Sequence, residues 1–322
     1  MPFYAGFDIL EYPKIAMMDW LNANTNLYWC GYYLAPAPNR PTSQWMGNYS
    51  RIKDKWGILP IYVGQQDERT GHDGYEPSST LTPAQGEIDG KDACDLLAGE
   101  GFPRGSFVYL DWEYGGLDGE GSSDYIRSWV STVASDGRAQ PGIYCSHVVA
   151  KPIADIIDTI NPTPWTRFFC WKVSNANPHD FTGDIAHLPE LNPTGCGFAG
   201  AQIWQREQQA IVKFPSGTPV TKLMMDFSTS SLTDPGAPSE TSRMIVRASL
   251  EIAESTAYVP RFRRKGSRSV SKMAKAQSSA KSKKDSAAAK RKAATKGKSK
   301  ATLSRKKKAR SNKSKRALRK PR

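Results

Sequence analysis

Val108-Tyr109-Leu110-Asp111-Trp112-Glu113 reads as an apolar strand that ends in two acids one residue apart. Alternate residues of a strand point to the same side. Asp111 and Glu113 therefore share a face, and with Tyr109 and Asp111 directed into a barrel, Glu113 stands at its mouth. Two carboxylates held this close repel, which raises the pKa of one and keeps it protonated near neutral pH as a candidate general acid. Cleavage of a glycosidic bond requires such a group.

Seven further apolar runs, at 4–9, 28–34, 58–64, 142–146, 167–174, 200–205 and 223–227, join the one at 106–113. Amphipathic stretches at 13–24, 43–55, 86–100, 124–135 and 147–160 separate the early ones. This alternation predicts parallel strands with crossover helices, an α/β fold. Eight strands in a body of about 260 residues predict one TIM-like (β/α) barrel. After the seventh run, residues 210–214 and the turn Ser216-Gly217 read as a hairpin, so the last units are irregular and strand-rich. A further amphipathic helix is expected over 239–257, with Ile245, Ala248, Ile252 and Ala253 on one face. Two long polar loops, 65–85 and 114–123, leave the C-terminal ends of strands, where barrels build their active sites.

Asp8 closes the first run and Asp226 the eighth. In a closed barrel those strands are neighbours, so both acids face Asp111 and Glu113 across the mouth. A strand-terminal Asp also serves as a helix N-cap or turn residue, and the same oxygens suit calcium or magnesium. Four acids on one rim nevertheless have few purely structural uses. Tyr62, Tyr144, Trp171 and Trp204 end four of the runs, where aromatic faces stack on sugars or fill the core. Gln65, with Gln66, Gln202 and Gln205, offers hydrogen bonds to hydroxyl or N-acetyl groups.

Other chemistries find no motif. His147, His179 and His187 are not at metal-ligand spacing and there is no HExxH or Cys/His cluster, so neither a metal nor a cofactor is expected. Ser146 lacks the Gly-x-Ser-x-Gly elbow, and no Gly-rich piece leads into Gly-Lys-Ser/Thr. Cys30, Cys94, Cys145, Cys170 and Cys196 are odd in number and without CxxC spacing, as buried reduced thiols would be. No stretch approaches the ~18 apolar residues that span a bilayer. The chain opens at once with a strand-like segment, so no signal peptide is read, and a cytoplasmic protein or one released by a non-standard route is expected.

The order Asp8, Asp111-Trp112-Glu113, Gly142-Ile143-Tyr144-Cys145-Ser146, Trp204-Gln205, Asp226 resembles the family 25 glycoside hydrolases, the lysozyme-type muramidases. The chain is more closely similar to a bacterial family of glycoside-hydrolase-like domains of unknown function, through Gly6-Phe7-Asp8 and the stretches 31–38 (GYYLAPAP), 60–66 (PIYVGQQ), 108–113 and 142–147. This likeness spans about residues 3–232. It implies Glu113 as general acid, Asp111 as its electrostatic partner, and Asp8 and Asp226 positioning or stabilising an oxocarbenium-like sugar. Muramidases commonly follow the first-strand Asp with Ser and Gln, whereas Asp8 is followed by Ile9-Leu10-Glu11-Tyr12-Pro13. The substrate pocket is therefore rebuilt, and a barrel that binds a glycan without cleaving it is the alternative.

Charge divides the chain. Of 45 Lys and Arg, 27 fall in residues 261–322, with one of the 31 Asp and Glu. A tail of +26 thus follows a body with 18 basic and 30 acidic residues, or −12, and the net +14 averages two opposite objects. Lys, Arg, Ala and Ser cannot bury enough apolar surface to offset the entropy of ordering, so the tail is expected to be disordered. Residues 287–294 and 305–308 resemble the arms of linker histones and bacterial histone-like proteins, implying a polyanion partner, DNA, RNA or an anionic envelope polymer, bound by counterion release. The expected organisation is a glycoside-hydrolase-like barrel over 1–235, a helix and linker over 236–260, and a disordered polycationic tail over 261–322. The expected function is hydrolysis of a peptidoglycan-like or other glycan, with the tail as tether; the alternative is a non-catalytic glycan- or nucleic-acid-associated protein on the same barrel.

Overall fold

The computed structural model describes residues 2–66, 81–113, 116–117 and 121–239. The helix expected over 239–257, all but its first residue, the tail over 261–322 and the middle of the first long loop lie outside the described residues, as does most of the second loop up to Gly121.

Eight strands close into a barrel. β1 (Tyr4–Asp8), β2 (Leu27–Tyr33), β3 (Gly57–Val63), β4 (Ser106–Trp112), β5 (Ala139–Ser146) and β6 (Arg167–Trp171) pair in chain order, all parallel. The two-residue β7 (His179–Asp180) only flanks β8 (Ala201–Lys213), which pairs in parallel with β6. β9 (Lys222–Ser230) closes the ring, antiparallel to both β8 and β1. Helices α1 (Ile15–Asn24), α2 (Tyr49–Ile52), α3 (Pro83–Gly99), α4 (Ser122–Asp136) and α5 (His147–Asp158) connect the first six strands. Every residue of β4 is buried, as a strand with core on one side and helices on the other must be; this is why its sequence runs apolar without alternation.

The interior is filled by aromatic rings admitted by glycines. A Cβ at Gly6 would sit 2.0 Å from the fully buried Trp29, and one at Gly142 would sit 2.6 Å from the ring of Tyr109. Trp29 in turn meets Phe169 edge-on, centroids 6.1 Å apart. At the N-terminal ends of the strands the segment after β9 acts as a floor. Phe107 N–H donates to Gly236 O at 2.9 Å, Tyr109 Oη to Pro235 O at 2.9 Å, and Ile58 N–H to Asp234 Oδ1 at 2.9 Å. Arg167, 3% exposed, donates Nη1 to Pro235 O at 2.7 Å and Ala237 O at 2.9 Å, its guanidinium 3.7 Å from the Phe107 ring centre. These bonds and the ring face offset the cost of burying the cation. The barrel is thus plugged below and reachable from the C-terminal rim.

Three details differ from the expectation. The helix over 43–55 shrinks to the single turn α2, because Gly47 adopts φ +78° and interrupts it. The sixth run ends at Trp171, and residues 172–200 hold only β7 and two 3₁₀ turns, Ile185–His187 and Pro193–Cys196. Pro178, Gly183, Pro189, Pro193 and Gly195 punctuate that stretch too densely for a helix. The seventh run and the 210–214 segment fuse into one 13-residue strand, the first arm of the hairpin.

Candidate active site

The C-terminal rim gathers Asp8, Asp111, Glu113 and Asp226 around one cavity of about 600 Å³. Asp8 ends β1 and leans over Gly31, where a Cβ would lie 2.5 Å from its own Cβ. Tyr33 Oη, from the end of β2, donates to Asp8 Oδ1 at 2.9 Å. Asp111 is level with Val63 on β3 and Tyr144 on β5. Glu113 lies one residue beyond β4, and the buried amide of Gln66 holds it there: Nε2 donates to Asp111 O at 2.7 Å, and Oε1 accepts Glu113 N–H at 3.1 Å. Gln66 thus supplies, from a side chain, a donor and an acceptor to the backbone just beyond the β3–β4 ladder.

Asp226 reaches the same rim by a different route. β9 runs antiparallel, so a residue in its middle, not its end, comes to the mouth, in direct register with Asp8. The sequence placed Asp226 at the end of its strand, and the antiparallel return corrects that. Its Oδ2 accepts Gln205 Nε2 at 2.8 Å and its Oδ1 accepts Gln209 N–H at 2.6 Å. Gln209 can aim its N–H there because β8 bulges between Gln205 and Ala210, with Gln209 at φ 55°; bulges commonly re-aim groups beside active sites.

All four carboxyls are pushed above the ordinary range. Burial is the first cause for each. Mutual repulsion adds to it: Asp226 and Glu113 raise Asp8, Glu113 and Asp8 raise Asp111, and Glu113 raises Asp226. Hydrogen bonds oppose the rise, from Tyr33 at Asp8, from Tyr144 at Glu113, and from Gln209 and Gln205 at Asp226, which comes to about 7. Among the described residues none of the four is ion-paired. Lys222 lines the same cavity but is ion-paired with none of the four among the described residues, so burial and mutual repulsion favour the protonated forms on this rim. Among the described residues no group of three or more His, Cys, Asp or Glu is disposed to hold a metal ion.

Of the aromatic and amide residues singled out by sequence, the structure brings Tyr144 into the acid cluster, its hydroxyl 2.6 Å from Glu113 Oε1 and also in hydrogen-bond contact with Gln205 Oε1. Tyr62 and Trp204 point out of the barrel. Tyr62 is opposite Leu110 in register, one step from the inward Val63, and donates to Asp92 Oδ2 at 3.1 Å. Trp204 packs on Gly195 and donates Nε1 to Lys172 O at 3.1 Å. Gln65 bonds Asp89 on α3 and donates its N–H to Tyr125 Oη at 3.1 Å, leaving the site to Gln66. Trp171 is half-buried in register with Gln205 but does not line the cavity. What sequence reasoning missed is the other wall: Tyr33, and the β8–β9 hairpin with Gln208, Ile211, Leu223 and Met224, facing Ile9, Leu10 and Glu11. The alternating apolar residues of 210–214 and 223–227 were its only signal.

The chain matches the family described as Rv2525c-like, glycoside hydrolase-like domain, over residues 23–217. No curated protein sequence matches it. Among solved structures it is similar to an uncharacterized protein of B. stearothermophilus, at 17% identity and TM-score 0.48, covering 71% of this chain and 96% of that one. The spore cortex lytic enzyme SleM of Clostridium perfringens is similar at 11% identity and TM-score 0.45, covering 71% and 67%. The catalytic domain of endolysin ply40 from bacteriophage P40 of Listeria monocytogenes is similar at 12% identity and TM-score 0.42, covering 72% and 94%.

Proposed function

This chain belongs to the Rv2525c-like, glycoside hydrolase-like domain family, and we propose that its barrel, residues 1–235, is a glycoside hydrolase acting on a peptidoglycan-like N-acetylated glycan. The observation that carries this reading is four carboxyls raised by burial that line one cavity at the C-terminal rim, none of them ion-paired among the described residues. Asp8 and Asp226 lie outside the family match, so the chain completes the cluster with β1 and β9.

In this mechanism Glu113, kept neutral by burial, protonates the leaving oxygen. Among the described residues, Asp111 Oδ1 and Asp8 Oδ2 are buried without a hydrogen-bond partner. Buried acceptors normally have a donor, and here it comes with the substrate, as a sugar hydroxyl or an N-acetyl N–H. Asp226 then stabilises positive charge on the sugar ring. The apolar wall of Ile9, Leu10, Ile211, Leu223 and Met224 takes the methyl-bearing substituents of such a glycan. The tail, residues 261–322, holds the enzyme to a polyanion through its 27 cations.

Reducing-end release from purified peptidoglycan and chitooligosaccharides by the full chain, beside Glu113→Gln, tests the proposal. Turnover that Glu113→Gln loses is expected. Glycan binding without turnover would instead favour a non-catalytic glycan-associated protein, for which the rebuilt Ile9-Leu10-Glu11 wall already speaks.

A further inference from the structure

Glu113 and Asp226 are joined through two side chains. Tyr144 Oη touches both Glu113 Oε1 and Gln205 Oε1, and Gln205 Nε2 donates to Asp226 Oδ2 at 2.8 Å. Each of these three contacts needs a hydrogen. The tyrosine has one, and the amide offers one only through the end that carries Nε2. With both carboxyls ionised, one contact lacks a hydrogen whichever way the amide faces.

One proton cures the deficit, in either of two ways. In the observed orientation Nε2 serves Asp226 and Oε1 faces Tyr144. Tyr144 then gives its hydrogen to Gln205, and the hydrogen between Tyr144 and Glu113 belongs to a neutral Glu113. Asp226, which also accepts Gln209 N–H, is the carboxylate. Turning the amide over reverses everything: Nε2 donates to Tyr144, Tyr144 donates to an ionised Glu113, and a neutral Asp226 donates to Oε1.

We propose that Glu113 and Asp226 hold one proton between them, that Gln205 with Tyr144 sets which of them carries it, and that the resting state places it on Glu113. Gln205 is a positioning residue, and only an amide, with a donor and an acceptor on one planar group, can serve both neighbours. The other titratable groups lining the cavity, Asp8 from β1 with Glu11 beyond it, Tyr33 from β2, Asp111 from β4 and Lys222 from β9, make none of these bonds: Tyr33 serves Asp8, and Asp111 Oδ1 has no partner among the described residues. Burial raises both carboxyls, which favours retention of the shared proton.

This deepens the proposed hydrolase reading by accounting for the acid's state before and after the reaction. Once Glu113 has given its proton to the leaving oxygen, the amide turns, Tyr144 stabilises the new carboxylate, and Asp226 takes up the proton released by the water that adds to the sugar. No proton crosses the amide itself.

The test is a pH titration of side-chain carboxyl ¹³C signals of the full chain, without substrate. In the wild type Asp226 is expected to ionise at lower pH than Glu113. In Gln205→Met, Asp226 loses a donor and should bind its proton roughly tenfold more tightly, while Glu113 gains the Tyr144 hydrogen and should bind its proton roughly tenfold more weakly, about the worth of one hydrogen bond to a charged group. Opposite shifts are the signature, because a packing defect has no reason to move the two in opposite senses. If Gln205→Met does not fold, Tyr144→Phe decides: Glu113 loses the donor that its ionised form would take and should bind its proton more tightly, while Asp226 keeps its Gln205 and Gln209 donors and should move little. Glu113 ionising first in the wild type, shifts of one sign in Gln205→Met, or a Glu113 that binds its proton no more tightly in Tyr144→Phe would overturn the proposal. A barrel that never cleaves a glycan fails the reducing-end assay and still answers this titration, so the two failures are separate.

Discussion

Replacing Asp226 by Asn should stabilise the barrel at pH 8 and leave it nearly unchanged at pH 4. The folded carboxyl is raised to about 7 from an ordinary 3.8, burial being the main cause. Between those values the unfolded chain has released the proton and the native state still holds it. The native state therefore binds more protons, and stability falls as pH rises through this window. Some three units at about 1.4 kcal/mol each set an upper bound near ~4 kcal/mol. Asp226 faces an open cavity, and its neighbours relax when a charge is removed, so about 2–3 kcal/mol is the expected gain at pH 8. Asparagine keeps an oxygen for the Gln209 N–H, so little packing is lost. Thermal unfolding of the full chain at pH 4, 6 and 8 should show the variant melting about 5–10 °C above wild type at pH 8, with the gap closing toward pH 4. A variant destabilised equally at every pH would refute the idea that the site stores unfavourable charge.

Three further outcomes follow from the same geometry. Gly86→Ala should cost about 1–3 kcal/mol by urea denaturation although alanine is the better helix former, because its Cβ would lie 2.4 Å from Tyr125 O where α3 crosses α4; a stabilised variant would mean the helices separate easily. Gln66→Leu should lower kcat on a cleaved glycan by about 10–100-fold with KM little changed, since it frees the backbone that aims Glu113; equal loss in kcat and stability would reduce Gln66 to a packing residue. Binding of the full chain to double-stranded DNA should weaken by about 10³-fold or more between 50 and 200 mM salt, and removal of residues 261–322 should abolish it; binding by the truncated chain would relocate the polyanion site to the barrel.

The barrel was legible because a parallel strand is buried on both faces, which turns each of β1 to β6 into a continuous apolar run. An acid at the end of such a run stands out, and so Asp8, Asp111 and Glu113 could be read directly. Direction was harder. Tyr62 and Trp204 fall near the ends of their apolar runs as surely as Tyr144 does, yet register turns them outward. Gln65 and Gln66 are adjacent in a loop where alternation no longer applies, and only their partners, Asp89 for one and the β4 backbone for the other, separate their roles.

By itself the sequence determined the class of fold, the order of the strands, the three acids at parallel strand ends and the division into an acidic body and a basic tail, because each is written in residue type and local period. Tertiary structure alone decided which groups surround those acids. The floor tied to Arg167, the antiparallel return that brings mid-strand Asp226 opposite Asp8, and the bulge that aims Gln209 at it all depend on pairings between distant segments. Burial and hydrogen-bond partners, which set where the protons reside, are properties of those pairings and have no local signature in the chain.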